Sequence, residues 1–418
     1  MADGMARRSP TRISRTICLP IGEEEYRNIV AAPQSFRSWL EACFERSPEL
    51  FPEEFAKGFE LADRRTAKKL QLPLRRIQLR DGIRFTVRPS FVTPYCAART
   101  DEVENPLFLR KFGVPFWALA KVFGRNPMFW FRLECQLGRH SIVGTTVRQA
   151  ELPEHLLADE HHQTCDGDKV YVATTVGGGC VLGVGVAESA GTEDLLAAYQ
   201  TFADEARNVT PDYTPKTVNT DGWKSTQAAW LRLFPLIVVL RCFLHAWLKI
   251  RDRAKNLKEQ FVELSRRVWN AYHAPNKRSF AQRLRHLSKW AGQQDLKGVV
   301  GEAVKDLCAK KDLWLTAYDH PGGHRTSNML DRLMRPMHRY FFDGQHLHGK
   351  RTTNERHVRG WALLSNFTPW NPATTKANDG WRSPAERLNQ HRYHDSWLQN
   401  LLISASLGGY RIRAPQNP

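Results

Sequence analysis

Three acidic residues occupy positions where a carboxylate could bind a metal ion. Asp159 lies in the alternating stretch "LLADEHH", Asp221 follows the β-branched run "TVNT", and Asp331 follows two helix-capping residue types in "TSNMLDR". Carboxylate oxygens are hard ligands that suit Mg²⁺ or Mn²⁺, and two close carboxylates repel each other unless a proton or a cation lies between them. A simpler interpretation is open for two of them: Asp221 could cap the helix that follows it, and Asp331 could be a first-turn acid that favours its helix.

The segment around the first two acids predicts a mixed sheet with helices on both faces. The patterns run strand, strand, strand, helix, strand, helix, strand, with Gly177-Gly178-Gly179 as a hairpin signal between the second and third strands. Such a meander followed by βαβ crossovers can place the first and fourth strands side by side, so that Asp159 and Asp221 reach one edge. Side-chain alternation puts Glu160 on the opposite face from Asp159, which leaves it as a less favoured fourth ligand.

The rest of the chain divides into segments that differ in their hydrophobic spacing. Helical spacing runs through 35–70, and a hairpin is predicted around Asp81-Gly82. Three short helices are predicted over 106–148, and the turn "GRN" between the last two makes 114–138 a helix-turn-helix candidate. An ordinary helical bundle is the alternative for that stretch. Residues 243 to about 320 are helical and basic, and the chain ends in an irregular polar segment.

Charge and cysteine usage narrow the class of protein. The chain has 418 residues, with 61 Lys+Arg against 43 Asp+Glu, a formal net charge of +18. That excess indicates a polyanionic partner, most often nucleic acid, although a merely basic soluble protein is the alternative. No apolar run approaches the roughly 18 residues of a membrane span, so we expect no membrane partner. Eight scattered cysteines without C-x-x-C spacing and no secretory signal predict reduced thiols and a cytoplasmic location.

Four motifs in order resemble a known family. They are "DE" at 159–160, "NTDGW" at 219–223, "CFLH" at 242–245 and "TSNMLDRLMR" at 326–335. Together they resemble a DDE/D-type transposase of bacterial insertion sequences, on the Mutator-like side of the RNase H-like superfamily. The resemblance covers about 150–370, with a looser likeness before it. It implies an α/β fold: an RNase H-like mixed sheet with flanking helices, a helical insertion before the third acid, and a mainly helical N-terminal DNA-binding region.

The resemblance also implies a division of the chain and a set of site residues. The expected parts are a basic tail at 1–16, a DNA-binding region at 17–150, a catalytic domain at 151–245 and 321–370, a helical insertion at 246–320, and a C-terminal tail at 371–418. The expected ligands of two Mg²⁺ (or Mn²⁺) ions are Asp159, Asp221 and Asp331. The family's third acid is usually glutamate, so Asp331 is one methylene shorter, and Glu355 in "TTNERHVRG" is the rival.

Five further residues are supporting candidates. Cys242 and His245 match the family's C/D-x-x-H motif, with a packing role as the alternative. Trp223 could stack on an unpaired base or belong to the core. His324 and Arg325 could reach the scissile phosphate or only shape a loop.

The implied function is transposition. The protein is expected to bind terminal inverted repeats, hydrolyse the phosphodiester at the transposon ends and join the 3′-hydroxyl to target DNA. It is expected to act on double-stranded DNA as a homo-oligomer associated with the bacterial nucleoid. Two alternatives stay open: an RNase H-like nuclease or resolvase without strand transfer, and a transposase-derived DNA-binding protein that no longer cleaves.

Overall fold

The computed structural model describes residues 14–94, 98–254, 256–257, 259–296, 298–343 and 347–413. The β-strands in this part of the chain are β1 Thr16–Leu19, β2 Phe59–Ala67, β3 Leu72–Leu79, β4 Arg84–Pro89, β5 His155–Cys165, β6 Asp168–Gly177, β7 Cys180–Ala187, β8 Thr217–Thr220 and β9 Val238–Arg241. The α-helices are α1 Glu23–Val30, α2 Pro33–Arg46, α3 Thr100–Arg110, α4 Phe116–Phe123, α5 Pro127–Leu137, α6 Ile142–Thr146, α7 Thr192–Val209, α8 Lys224–Leu233, α9 Phe243–Arg253, α10 Glu259–Tyr272, α11 Lys277–Gln293, α12 Gly298–Ala309, α13 Lys311–Leu315, α14 Asn328–Asp343, α15 Arg351–Phe367, α16 Pro372–Lys376, α17 Pro384–Asn389 and α18 Trp397–Ser404.

The larger sheet confirms the predicted mixed α/β architecture. Its strand order is β7-β6-β5-β8-β9, with β5, β6 and β7 antiparallel and with β8 and β9 parallel to β5. Alternate residues of β5 pack on opposite sides: Leu156 and Ala158 contact the apolar cluster of α7 and α8, whereas Leu157 contacts the cluster of α14 and α15. Helices therefore cover both faces, and the first and fourth strands of this segment are neighbours.

The N-terminal region contains a sheet that the sequence analysis only partly predicted. The order is β1-β4-β3-β2, and the hairpin around Asp81-Gly82 joins β3 to β4. The prediction of helix through residue 70 was wrong after α2. Residues 59–67 form β2, because pairing with β3 (Phe59 opposite Leu79) outweighs a weak helical spacing. The region is thus mixed α/β rather than mainly helical.

Part of the expected C-terminal tail, residues 397–407, belongs to the core. Apolar residues of α18, such as Leu398, Leu401 and Leu402, are fully buried, and their spacing gives a helix an inner face. They share one apolar cluster with Ile17 and Phe36 of the N-terminal region. Because residues before 150 and after 384 lie in that common cluster, residues 17–150 do not enclose a core of their own.

The predicted helical insertion is present as α9 to α13. Its helices surround a separate apolar cluster that includes Trp247, Leu264 and Phe280. The insertion begins directly after β9, and the Phe243 amide donates a hydrogen bond to the Arg325 carbonyl (3.0 Å) just before α14. The start and the end of the insertion are therefore fixed beside each other.

Candidate metal-binding site

Acidic side chains from neighbouring strands converge where β5 passes the end of β8. The register pairs Leu157 with Asn219, so Asp159 and Asp221 lie two residues further along their parallel strands. One ligand oxygen from each of Asp159, Glu160 and Asp221 lies within 4.8 Å of the other two. Among the described residues this is the one group of three acidic, histidine or cysteine side chains close enough to share a metal ion.

The turn after β8 contains Gly222 and Trp223, the two residues that follow Asp221. One oxygen of Asp221 accepts a hydrogen bond from the Trp223 amide (2.9 Å), which shapes the start of α8. Gly222 has φ +107°, and a Cβ there would lie 2.4 Å from a guanidinium nitrogen of Arg241. A side chain at 222 would therefore be both strained and crowded. Asp221 does not cap α8, because the N-cap residue is Trp223 and no side chain caps this helix. The hydrogen bond forms an Asx turn before it, and the Asp221 carboxylate also belongs to the acidic group.

Asp331, which follows the helical insertion in the chain, lies close to the same group of acids. It lies in the first turn of α14, where its carboxylate accepts a hydrogen bond from the Ser327 hydroxyl (2.9 Å). The charges of Asp221 and Asp331 both act on Asp159. Asp331 is outside the group whose oxygens are within 4.8 Å, so α14 places it beside that group rather than within it.

Burial and mutual repulsion raise the pKa of the acids in the sheet. Burial, followed by the charge of Asp221, raises the pKa of Asp159 to about 6, against an opposing effect of His245. Burial also raises the pKa of Glu160 to about 7, although Tyr199 and Thr226 donate hydrogen bonds to its carboxylate (2.7 and 2.8 Å). Acids in this state are costly to ionise without a cation, and their hard oxygen donors suit Mg²⁺ or Mn²⁺.

Cys242 and His245 connect the insertion to the helix of Asp331. The Ser327 amide donates to the Cys242 sulfur (3.2 Å), and the thiol donates to the Ser327 hydroxyl (3.3 Å). Since that hydroxyl bonds Asp331, the start of α9 fixes the first turn of α14. The Cys242 side chain and the charges of Asp159 and Asp221 raise the pKa of His245 to about 9, against the opposing effect of burial. A raised pKa favours the protonated form of His245 near the acids.

Glu355 lies elsewhere. It is on α15, which packs on β7, and β7 is separated from β5 by β6. Its carboxylate accepts from Arg351 (3.2 Å), whose guanidinium also bonds Glu188 (2.7 Å). The residue before Glu355, Asn354, contacts β5 at Cys165 (3.2 Å), six residues beyond Asp159, and six strand residues span about 20 Å. The fold brings Asp331, and not Glu355, towards Asp159 and Asp221.

The remaining candidates have structural contacts. Trp223 is half-buried, with its ring centroid 5.5 Å from His162 and 5.9 Å from Tyr171. The Arg325 guanidinium lies over the Tyr318 ring, 4.4 Å from its centroid, and the His324 carbonyl accepts from Asn219 (2.8 Å). These contacts favour the loop role for 324–325.

The helix-turn-helix candidate has the predicted shape but little free surface on its second helix. Asn126 caps α5 by accepting from the Met128 amide (2.8 Å). Most of α5 is turned inward, with Trp130 and Glu134 buried and only Met128 and Arg132 exposed. A helix that reads DNA needs a free face, so this packing favours the helical-bundle alternative for α4 and α5.

Comparison with known proteins gives no independent assignment. No model of a known protein family matches the chain, and a search of curated proteins finds no significant match. Within the described ranges, none of the helices combines the length and the apolar character needed to cross a lipid bilayer.

Proposed function

We propose that this protein is a DDE/D-type transposase with an RNase H-like catalytic domain. The observation that carries the proposal is the placement of three acids on a strand, on the end of its parallel neighbour and on the first turn of a later helix. A long helical insertion separates the second acid from the third, in the order that the sequence motifs imply. Alternating strands, the hairpin turn and the insertion all support the same arrangement.

Asp159, Asp221 and Asp331 would hold Mg²⁺ or Mn²⁺, and Glu160 is placed to join them. Bound divalent ions supply an activated water or 3′-hydroxyl and stabilise the leaving oxygen in phosphodiester chemistry. The other side chains of the site position these acids. Ser327 and Cys242 orient Asp331, the Trp223 amide orients Asp221, and the protonated His245 reduces repulsion among the acids.

The positive charge of the chain supports DNA as the substrate. The net charge is +18, and Arg64, Arg65, Lys68 and Lys69 are exposed along β2 and the turn after it. Phosphate contacts from such residues give salt-dependent binding. We assign the terminal repeats to the N-terminal region and flanking or target DNA to the basic insertion. A homo-oligomer on DNA and a location with the bacterial nucleoid belong to the same proposal.

The test uses DNA that carries the inverted repeats flanking the gene. The full chain with Mg²⁺ should nick this DNA at the repeat ends, and Asp221→Asn should lose cleavage while it keeps repeat binding. Cleavage by Asp221→Asn within tenfold of wild type would contradict the assignment. A second substrate with pre-cleaved 3′ ends separates a transposase, which joins them to target DNA, from a nuclease or resolvase, which does not. Repeat binding without any cleavage by the wild type would favour the non-cleaving alternative.

A further inference from the structure

The exposed side of α14 carries a row of cations and one aromatic ring. Arg332, Arg335, Arg339 and Phe342 follow one another at helical spacings of three, four and three residues, so they lie on one face, and all four are exposed. Among the side chains that the structure describes, no carboxylate lies within ion-pair distance of these arginines. At 1.5 Å per residue, the row extends about 15 Å from Arg332 to Phe342.

A cleft borders this row. It has a volume of about 340 Å³ and lies between α14 and the turn that joins β5 to β6. Its lining includes His162 and Lys169 from the sheet and His338 and Phe342 from the helix. The His162 ring is also in contact with Trp223, two residues after Asp221. The N-terminal end of α14 thus carries Asp331. Its C-terminal end borders the cleft, and His162 in the lining of the cleft contacts Trp223, close to Asp221.

We propose that this face and cleft bind an unpaired DNA strand next to the phosphate that is cut. Arginines spaced along a helix can follow successive phosphates, and flat aromatic rings stack on bases whatever their sequence. Phe342 is 68% exposed, and its ring can stack only on bases that are not already stacked in a helix. That the bound polyanion is DNA rests on the proposed function.

The experiment measures binding without catalysis. A labelled oligothymidylate of about 12 nucleotides and a duplex of equal length are titrated with the full chain in EDTA, with fluorescence anisotropy as the readout. Phe342→Ala should weaken binding of the single strand by about five- to 100-fold, the range for loss of one stacking contact, and should leave duplex binding within about twofold. Leu236→Ala, between α8 and β9, is the control for loss of exposed apolar surface, because Leu236 is 83% exposed and lies outside the two regions assigned to DNA.

The arginines are tested by the salt dependence of the same binding. Changing Arg332, Arg335 and Arg339 together to Gln should make the slope of log K against log salt shallower by about 2 for the single strand, at about 0.7 per phosphate. A matched variant changes three exposed cations outside the two regions assigned to DNA, Lys216, Arg232 and Lys376, to Gln and should not change that slope.

Three results would overturn the inference. They are wild-type affinity of Phe342→Ala for the single strand, an equal loss on single strand and duplex, and an equal change of slope in both cation variants. Since no metal is present, these results are independent of cleavage. If Asp221→Asn still cleaves but Phe342→Ala loses the single strand, the proposed catalytic site fails and this surface stands. The reverse pattern removes this surface alone.

Discussion

Two groups of acids in this protein have opposite surroundings. Glu134 and Glu205 are fully buried, and each is paired with a buried arginine: Arg110 at 2.8 Å from Glu134, and Arg359 beside Glu205. Asp159, Glu160 and Asp221 instead face one another, and in the described chain none of them forms an ion pair with lysine or arginine. A buried acid that is paired with an arginine connects secondary-structure elements. Acids that lie close to one another without such a partner are suited to bind a metal ion.

The paired acids connect distant parts of the chain. Glu134 on α5 accepts hydrogen bonds from Arg110 on α3 and from Tyr340 on α14, and Tyr340 also bonds His357 on α15. Glu205 on α7 accepts from the backbone amides of Ile142 and Val143. These networks fix the helices around the sheet, and one of them anchors the helix that carries Asp331.

The largest effect is expected for the third acid. Asp331→Ala should reduce cleavage and joining by about 1000-fold or more, because loss of a ligand carboxylate removes several kcal/mol of metal-dependent stabilisation. Glu355→Ala should keep most of both activities, since its carboxylate is bound to Arg351 beside β7. The measurement is cleavage of repeat-end DNA under identical conditions. An inactive Glu355→Ala with an active Asp331→Ala would place the catalytic helix at α15. Asp331→Glu adds a methylene and is expected to retain partial activity.

A smaller effect is expected where a buried pair is broken. Arg110→Met leaves the buried Glu134 carboxyl without its arginine, and should lower the free energy of unfolding by about 3–5 kcal/mol. Denaturant unfolding measures this change. The exposed pair of Arg27 and Glu23 is the control, because Arg27→Met should cost about 1 kcal/mol or less. Equal losses in the two variants would show that the buried network does not hold the helices.

The smallest effect concerns a buried histidine among arginines. Burial, and then the charges of nearby arginines beginning with Arg88, lower the pKa of His140 to about 3. The unfolded chain takes up this proton first, near pH 6.5, so stability is lost as the pH falls from about 6.5 towards 3. At pH 5 the loss from this group is about 2 kcal/mol. His140→Gln should remove that part of the pH dependence in unfolding measured from pH 7.5 to 5, and an unchanged dependence would contradict the assignment.

The sequence predicted the sheet around the acids because its signals there are local. Alternation in β5, the glycine hairpin before β7 and the helical spacing of α7 leave few topologies, and these make Asp159 and Asp221 neighbours. Alternation predicted that Glu160 lies on the opposite face from Asp159, and in the structure its side chain accepts a hydrogen bond from Tyr199 on α7. It did not predict that the Glu160 carboxylate would lie within 4.8 Å of the other two acids, since that depends on how a flexible side chain packs.

The features that were missed depend on distant partners. The apolar residues of 59–67 have helical spacing, but these residues form a strand because they pair with β3. The apolar residues of α18 lie near the end of the chain, and their partners, such as Ile17, lie near the other end. The pair of Arg110 and Glu134 joins two of the short helices predicted over 106–148, for which the sequence left a helix-turn-helix and an ordinary bundle open. No local pattern contains these contacts.

The central claim is that the unpaired acids form a divalent-metal site, and thermal unfolding with and without Mn²⁺ tests it most directly. In EDTA at pH 8, Asp159→Asn should be more stable than wild type by about 1–2 kcal/mol, because it removes a buried charge whose pKa is raised to about 6. Mn²⁺ at about 100 times its Kd should stabilise wild type by about 2.7 kcal/mol and the variant far less. Asp168→Asn, at the exposed first residue of β6, should respond to Mn²⁺ as wild type does. An equal response to Mn²⁺ in wild type and Asp159→Asn would contradict the claim.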